Sequence, residues 1–145
     1  MILDLIKIKE LIPHRDPFLF IDQCEIIREG IEGIGFKTFL HSENFFKGHF
    51  PNMPIVPGVV LIESMAQTAG VVVSHKYREY KDKSVLFMSI SKAKFRKPVF
   101  PNDKIHFHVN YLKNVKSVYK FSGVAFKNDI KVCESEFSAM ITSDS

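Results

Sequence analysis

The stretch Gly48-His49-Phe50-Pro51-Asn52-Met53-Pro54-Ile55-Val56-Pro57-Gly58-Val59-Val60-Leu61-Ile62-Glu63 decides how this chain folds. Pro51, Pro54 and Pro57 each hold φ near about −65°, so the loop carrying His49 loses little entropy when it orders. Pro57-Gly58 then opens an apolar run over residues 59–73 in which Glu63 is the only ionisable side chain. Ser64, Gln67 and Thr68 are too few to make a solvated face. The spacing therefore predicts a helix over residues 58–74 with protein on all sides. Val59, Val60, Ala66, Gln67 and Gly70 share the face of Glu63. The small Ala66 and Gly70 would let another backbone come close.

Working outward, residues 4–11 place leucine and isoleucine at helical spacing and predict a short amphipathic helix that stops before Pro13. A turn follows through Pro13-His14-Arg15-Asp16-Pro17. Residues 18–28 and 31–40 are β-branched and aromatic and are divided by Glu29-Gly30, as in a strand pair. Ser42 is placed to cap a short turn through Phe45. Beyond a charged break at residues 76–83, four strands are expected at 84–95, 104–113, 117–127 and 130–141. Their connections carry Pro101-Asn102-Asp103, Asn114 and Asn128-Asp129. The plan is α+β: a curved antiparallel sheet wrapped around a long central apolar helix, in a single domain covering residues 1–145.

Composition narrows the function. With 46% hydrophobic residues the chain can build one well-packed core. The net charge of +4 and pI near 9.0 are too modest to argue for nucleic acid, and suit an acidic protein partner equally well. Cys24 and Cys133 lack CxxC spacing and read as reduced thiols, which points to the cytoplasm. Residues 1–12 mix Asp4, Lys7, Lys9 and Glu10 with apolar side chains, unlike a signal peptide. The apolar helix is long enough to span a bilayer, but a charge at its middle costs about 2.5 to 3.5 kcal/mol there, so no membrane span is expected.

A lone carboxylate in such a helix costs on the order of several kcal/mol to bury unless it is paired or protonated. Desolvation raises its pKa, while the nearby helix N-terminus lowers it. His49 supplies a base in a stiff loop. The first N–H groups of the helix lack partners, Pro57 already gives up one donor, and Gly58 lets a ligand approach. A carbonyl oxygen bound there would be stabilised as it becomes enolate-like. The alternative is structural, with His49 bonded to backbone and Glu63 to a buried partner.

These residues carry a resemblance. Leu11-Ile12-Pro13-His14-Arg15 with Pro17-Phe18-Leu19 and Asp22, then Gly48-His49-Phe50-Pro51, Pro54, Pro57-Gly58-Val59 and Glu63 through Ala66-Gln67, then Lys94-Phe95-Arg96-Lys97-Pro98-Val99, resemble the three motifs of the 3-hydroxyacyl-acyl carrier protein dehydratases of the hot-dog fold, FabZ type. The resemblance implies elimination of water from a (3R)-hydroxyacyl thioester to give the trans-2-enoyl thioester in type II fatty acid synthesis, with lipid A synthesis beside it. It implies no metal and no organic cofactor. It assigns His49 to the proton at C2, Glu63 to the departing hydroxyl and the Gly58 amide to the thioester carbonyl. It also implies that His49 meets Glu63 of a second chain, in a homodimer commonly assembled three to a hexamer. The partner would be acyl carrier protein, delivering the acyl chain on a phosphopantetheine arm.

Glutamate rather than aspartate at position 63 resembles the branch that dehydrates without isomerising. Three departures stand out. Leu86 occupies the place of a tyrosine thought to gate the acyl tunnel in several relatives, Asp16 replaces an aromatic residue, and Asn102 replaces a turn glycine. Val59, Phe50, Leu86 and Phe87 are expected beside the substrate. Lys76, Arg78, Lys81 and Lys83, with Lys92, Lys94, Arg96 and Lys97, could steer the carrier protein. His106 and His108 alternate with Phe107 and read as strand-surface histidines, two ligands being too few for a metal. His14 is expected as a structural hydrogen-bonder near the His49 loop. The rivals are a hot-dog acyl thioesterase and a non-catalytic acyl-thioester-binding module.

Overall fold

The computed structural model describes residues 1–142; the expected domain, 1–145, runs three residues past them. Among the described residues seven strands form one sheet: β1 (Ile2–Leu3), β2 (Gln23–Arg28), β3 (Glu32–Thr38), β4 (Ser84–Phe95), β5 (Lys104–Val115), β6 (Val118–Lys127) and β7 (Ile130–Thr142). Their order is β1-β2-β3-β5-β6-β7-β4, and every pairing is antiparallel. The helices are α1 (Leu5–Leu11) and α2 (Gly58–Lys76). Asp4 caps α1 by accepting from Lys7 N at 3.0 Å.

The sheet curls around α2 as expected. Alternation along β5 turns Ile105, Phe107 and Val109 inward to full burial, against Leu61, Met65 and Val72 of the helix-side core. Each such side chain contributes roughly 1.5 to 3 kcal/mol of burial. The helix lies hard on the strands: a Cβ at Gly35 of β3 would collide with the Thr68 side chain, and one at Gly123 of β6 would sit 2.7 Å from Met65 Sδ. Two details differ from expectation. The small Gly70 accommodates a side chain rather than a backbone, since a Cβ there would lie 3.1 Å from Val85 Cγ2. Val59, at the helix start, is 71% exposed, so protein does not surround α2 on all sides.

Further corrections have local causes. The strand expected over residues 18–28 begins only at Gln23, because the Gln67 side chain takes up backbone groups of residues 18 and 20 that a ladder would use. The turn after β3 is a 3-10 turn at Asn44–Lys47, preceded by Glu43 with no side-chain cap from Ser42. Strand β4 does not pair with β5. It lies at the sheet edge beside β7, exposed from Leu86 onward. Asn102 adopts φ of 71°, the left-handed geometry that suits asparagine in a glycine's place.

Candidate active site

His49 follows the 3-10 turn, in a loop held by its own backbone. His49 N donates to Phe45 O at 3.0 Å and Ile55 N to His49 O at 2.9 Å, while Phe50 and Met53 exchange two bonds. The side chain is fixed at one nitrogen, with Nδ1 3.0 Å from Ile55 O. A carbonyl oxygen can only accept, so in the neutral ring Nδ1 carries the hydrogen and Nε2 keeps its lone pair. The Phe50 ring stacks on the imidazole at 4.2 Å between centroids.

His49 lines a cleft of about 410 Å³ with Gly58, Val59, Phe95, Arg96 and Lys97 among its walls. Helix α2 begins at Gly58, as expected, with Pro57 at its N-cap. The Pro57 carbonyl accepts from Val60 N at 2.9 Å. A Cβ at residue 58 would lie 2.5 Å from Cε1 of Phe95. Glycine there is what allows the Phe95 ring to close over the helix start, where the N–H groups of Gly58 and Val59 have no partner among the described residues.

Glu63 faces different surroundings. Gln67 Nε2 donates to its Oε2 at 2.9 Å, and His14 Nε2 lies 3.6 Å from the same oxygen. The Gln67 amide is anchored elsewhere as well, accepting from Phe20 N at 2.8 Å and donating to Phe18 O at 2.9 Å. Burial pushes the Glu63 carboxyl above its ordinary value, and the Gln67 bond pulls it part of the way back. Burial, with the Arg15 charge beside it, pushes the His14 imidazole below its ordinary value. His14 therefore belongs to Glu63 and not to the His49 loop. Among the described residues no hydrogen bond or ion pair joins His49 to Glu63.

The remaining expected residues divide. Gly58 and Val59 share the His49 cleft, whereas Phe50 lies on the imidazole outside its lining. Leu86 and Phe87 sit on edge strand β4, Phe87 edge-on to Phe137 at 6.0 Å, and neither lines that cleft. The basic cluster is partly neutralised: Lys92 meets Glu136 and Arg96 meets Glu134, each at 3.1 Å. His106 and His108 lie on the outer face of β5 against Phe36 and Phe126. Burial lowers both, helped by the Lys104 charge at His106 and by the His106 charge at His108. Among the described residues no three His, Cys, Asp or Glu side chains stand together as a metal site would need. Cys24 and Cys133 are free and buried, and desolvation pushes each thiol up to about 12. Among the described residues no helix is long and apolar enough to cross a membrane.

Sequence reasoning missed the Gln67 anchor. An amide on an apolar helix face, one turn after a lone carboxylate, was the available signal.

The chain is similar to known proteins over nearly its whole length. The FabA-like domain family matches residues 12–136. A 3-hydroxyacyl-[acyl-carrier-protein] dehydratase FabZ of Gluconobacter oxydans is 46% identical over 140 residues, covering 96% of this chain and 83% of the relative. The protein of the same name from Sulfurimonas denitrificans is 41% identical over 146 residues, covering 97% and 98%. Among solved structures, the dehydratase heterocomplex ApeI:P of Xenorhabdus doucetiae superposes with a TM-score of 0.75 at 14% identity, over 94% of this chain and 91% of that one. At that identity the likeness concerns the fold, which is the hot-dog fold.

Proposed function

The chain belongs to the FabA-like family and is a 3-hydroxyacyl-acyl carrier protein dehydratase of fatty acid biosynthesis, a hydro-lyase, and on that premise we propose how its residues divide the chemistry. His49 is the base. Its Nδ1–H is committed to Ile55 O, so Nε2 takes the proton from C2 of the (3R)-hydroxyacyl thioester. The electron pair of that C–H bond becomes the C2–C3 double bond as the C3–O bond breaks. Glu63 gives its proton to the departing hydroxyl, which leaves as water. Its desolvated carboxyl is kept protonated to higher pH than an exposed one. The Gly58 N–H, at the open start of α2, donates to the thioester carbonyl as negative charge develops on its oxygen. The observation that carries this reading is the contrast between an imidazole with one nitrogen locked and the other free, and a carboxyl buried and raised.

The active unit in this proposal is a homodimer within a single-domain architecture, with His49 of one chain facing Glu63 of the other, and three dimers forming a hexamer. Two observations support it. Among the described residues the two side chains share no hydrogen bond or ion pair within one chain. Strand β4 is a twelve-residue sheet edge whose apolar side chains stay open, with Leu86 at 45%, Met88 at 54% and Ile90 at 47% exposure. A long apolar edge of this kind needs a cover, and an antiparallel copy of itself is a symmetric one. In this reading Val59, Phe50, Leu86 and Phe87 contact the acyl chain. The phosphopantetheine-borne substrate arrives on acyl carrier protein past Lys97, in the cytoplasm.

The test is the ultraviolet absorbance of a crotonyl thioester mixed with the protein. Loss of enoyl absorbance by hydration, absent in Glu63→Gln and in His49→Ala, supports the assignment. Release of free thiol without hydration would replace the dehydratase with a thioesterase.

A further inference from the structure

We propose that His14 and Gln67 act together as donors to one oxygen of Glu63, Oε2, so that the proton the acid transfers is carried on the other oxygen, Oε1. His14 is in this account a positioning residue. The inference rests on Glu63 being the acid and goes on to say which of its atoms acts.

The Gln67 amide has one orientation. Phe20 N–H requires an acceptor and so faces Oε1 of Gln67; the Nε2 hydrogens then go to Phe18 O and to Glu63 Oε2. An oxygen that accepts from an amide donor is the carbonyl-type oxygen of a protonated carboxyl, and it has a second lone pair to offer. His14 Nε2 stands over it at 3.6 Å. That is longer than a hydrogen bond, and a few tenths of an ångström of side-chain rotation closes it.

The tautomer of His14 follows from its other nitrogen. Nδ1 is buried with no hydrogen-bond partner among the described residues. A proton placed there would be a buried donor with no acceptor, whereas on Nε2 it meets Glu63. Burial and the neighbouring Arg15 charge disfavour the doubly protonated ring, so His14 presents a neutral Nε2–H. Arg15 also holds the segment in place, donating to Lys9 O at 3.0 Å, Ile12 O at 3.0 Å and His14 O at 2.7 Å around the end of α1. These three bonds tie the backbone that carries the imidazole to the end of α1.

Within one chain, among the described residues, no other charge is bonded to the carboxyl, and the His49 that the proposed dimer brings to it from the second chain is the same in parent and variants. From the loop after α1 it faces His14, with Arg15 behind; from its own helix it faces uncharged Gln67. Asp16 and Glu43, the nearby acids, line the adjoining cleft with Phe18 and Val60 and are not bonded to Glu63 among the described contacts. Glu43 pairs instead with Lys37 at 2.9 Å. Donors to Oε2 favour the carboxylate over the acid, so they oppose the effect of burial. Removing one moves the titration of Glu63 upward.

The experiment is a carbon-13 NMR titration of the full-length protein labelled at glutamate carboxyls, with the Glu63 signal assigned by its loss in Glu63→Gln. His14→Leu is expected to raise the Glu63 midpoint by about one pH unit, a tenfold change in its acid constant. His14→Gln, which restores an uncharged donor, is expected to bring the midpoint back and to recover most of the kcat that His14→Leu loses. If the leucine variant does not fold, His14→Met against His14→Gln makes the same comparison. A midpoint that stays put or falls in the donorless variant overturns the inference, as does a glutamine variant that behaves like leucine. Because the midpoint is read without turnover, an unmoved midpoint alongside an inactive Glu63→Gln overturns only the role of His14. An active Glu63→Gln would instead overturn the role of Glu63.

Discussion

His49 and Glu63 are built by opposite means. The His49 loop is ordered by prolines and by backbone bonds to Phe45 and Ile55, and its ring rests against Phe50 at the rim of an open cleft. Glu63 sits on a helix most of whose residues are buried, where burial alters its ionisation and a single amide, Gln67, both anchors it and tethers residues 18–20. In the proposed roles, a carboxylic acid that works near neutrality needs desolvation first, whereas a base needs chiefly orientation. Burial then ties the proposed role of Glu63 to the core, while that of His49 rests on backbone bonds in a loop.

The largest expected effect leaves the two alike. His49→Ala and Glu63→Gln should each abolish measurable turnover, a fall of about 10² to 10⁴-fold from a single acid or base, read by crotonyl thioester hydration. Gly58→Ala comes next. Its methyl group meets the Phe95 ring, 2.5 Å from Cε1, so the ring must move off the helix start; a kcat lowered by about tenfold or more is expected, with the fold retained in circular dichroism. Gln67→Leu should then separate the two regions. It leaves the buried Phe20 N–H without an acceptor, at a cost of about 1 to 3 kcal/mol in denaturant melts, while the His49 loop keeps its bonds.

The smallest effect is the most discriminating. Glu63 has a folded-state value above its unfolded one, so its ionisation opposes folding as pH rises past the ordinary carboxylate value of 4.5 and toward the raised one. Glu63→Gln removes that opposition. Its Tm should exceed the parent's at neutral pH, and the difference should vanish as pH falls below 4.5. A Glu63→Gln protein whose Tm tracks the parent's at every pH would erase the contrast between loop and helix.

Much of this was legible in the sequence because it is local. Helix α2 is apolar from Val59 to Val73 around one carboxylate, the turn at Asn102 needs a residue tolerant of left-handed geometry, and strand β4 matches its expected bounds. What escaped depends on distant partners. Strand β1 is two residues whose pairing with Cys24 and Glu25 no periodicity announces. The position of β4 at the edge is set by pairing with β7, some fifty residues on, and turns its apolar side chains outward. His14 and Glu63 lie 49 positions apart in sequence, so neither predicts the other without the three bonds of Arg15 that direct the imidazole.

The most direct test of the shared site is complementation. His49→Ala and Glu63→Gln proteins, each inactive, are mixed in equal amounts under conditions that let chains exchange. If each site takes His49 from one chain and Glu63 from another, half the dimers become mixed and each regains one intact site, so activity should rise to about a quarter of the parent's. A mixture that exchanges chains, as shown by mass spectrometry, yet stays inactive would contradict the account and place both groups of each site in one chain.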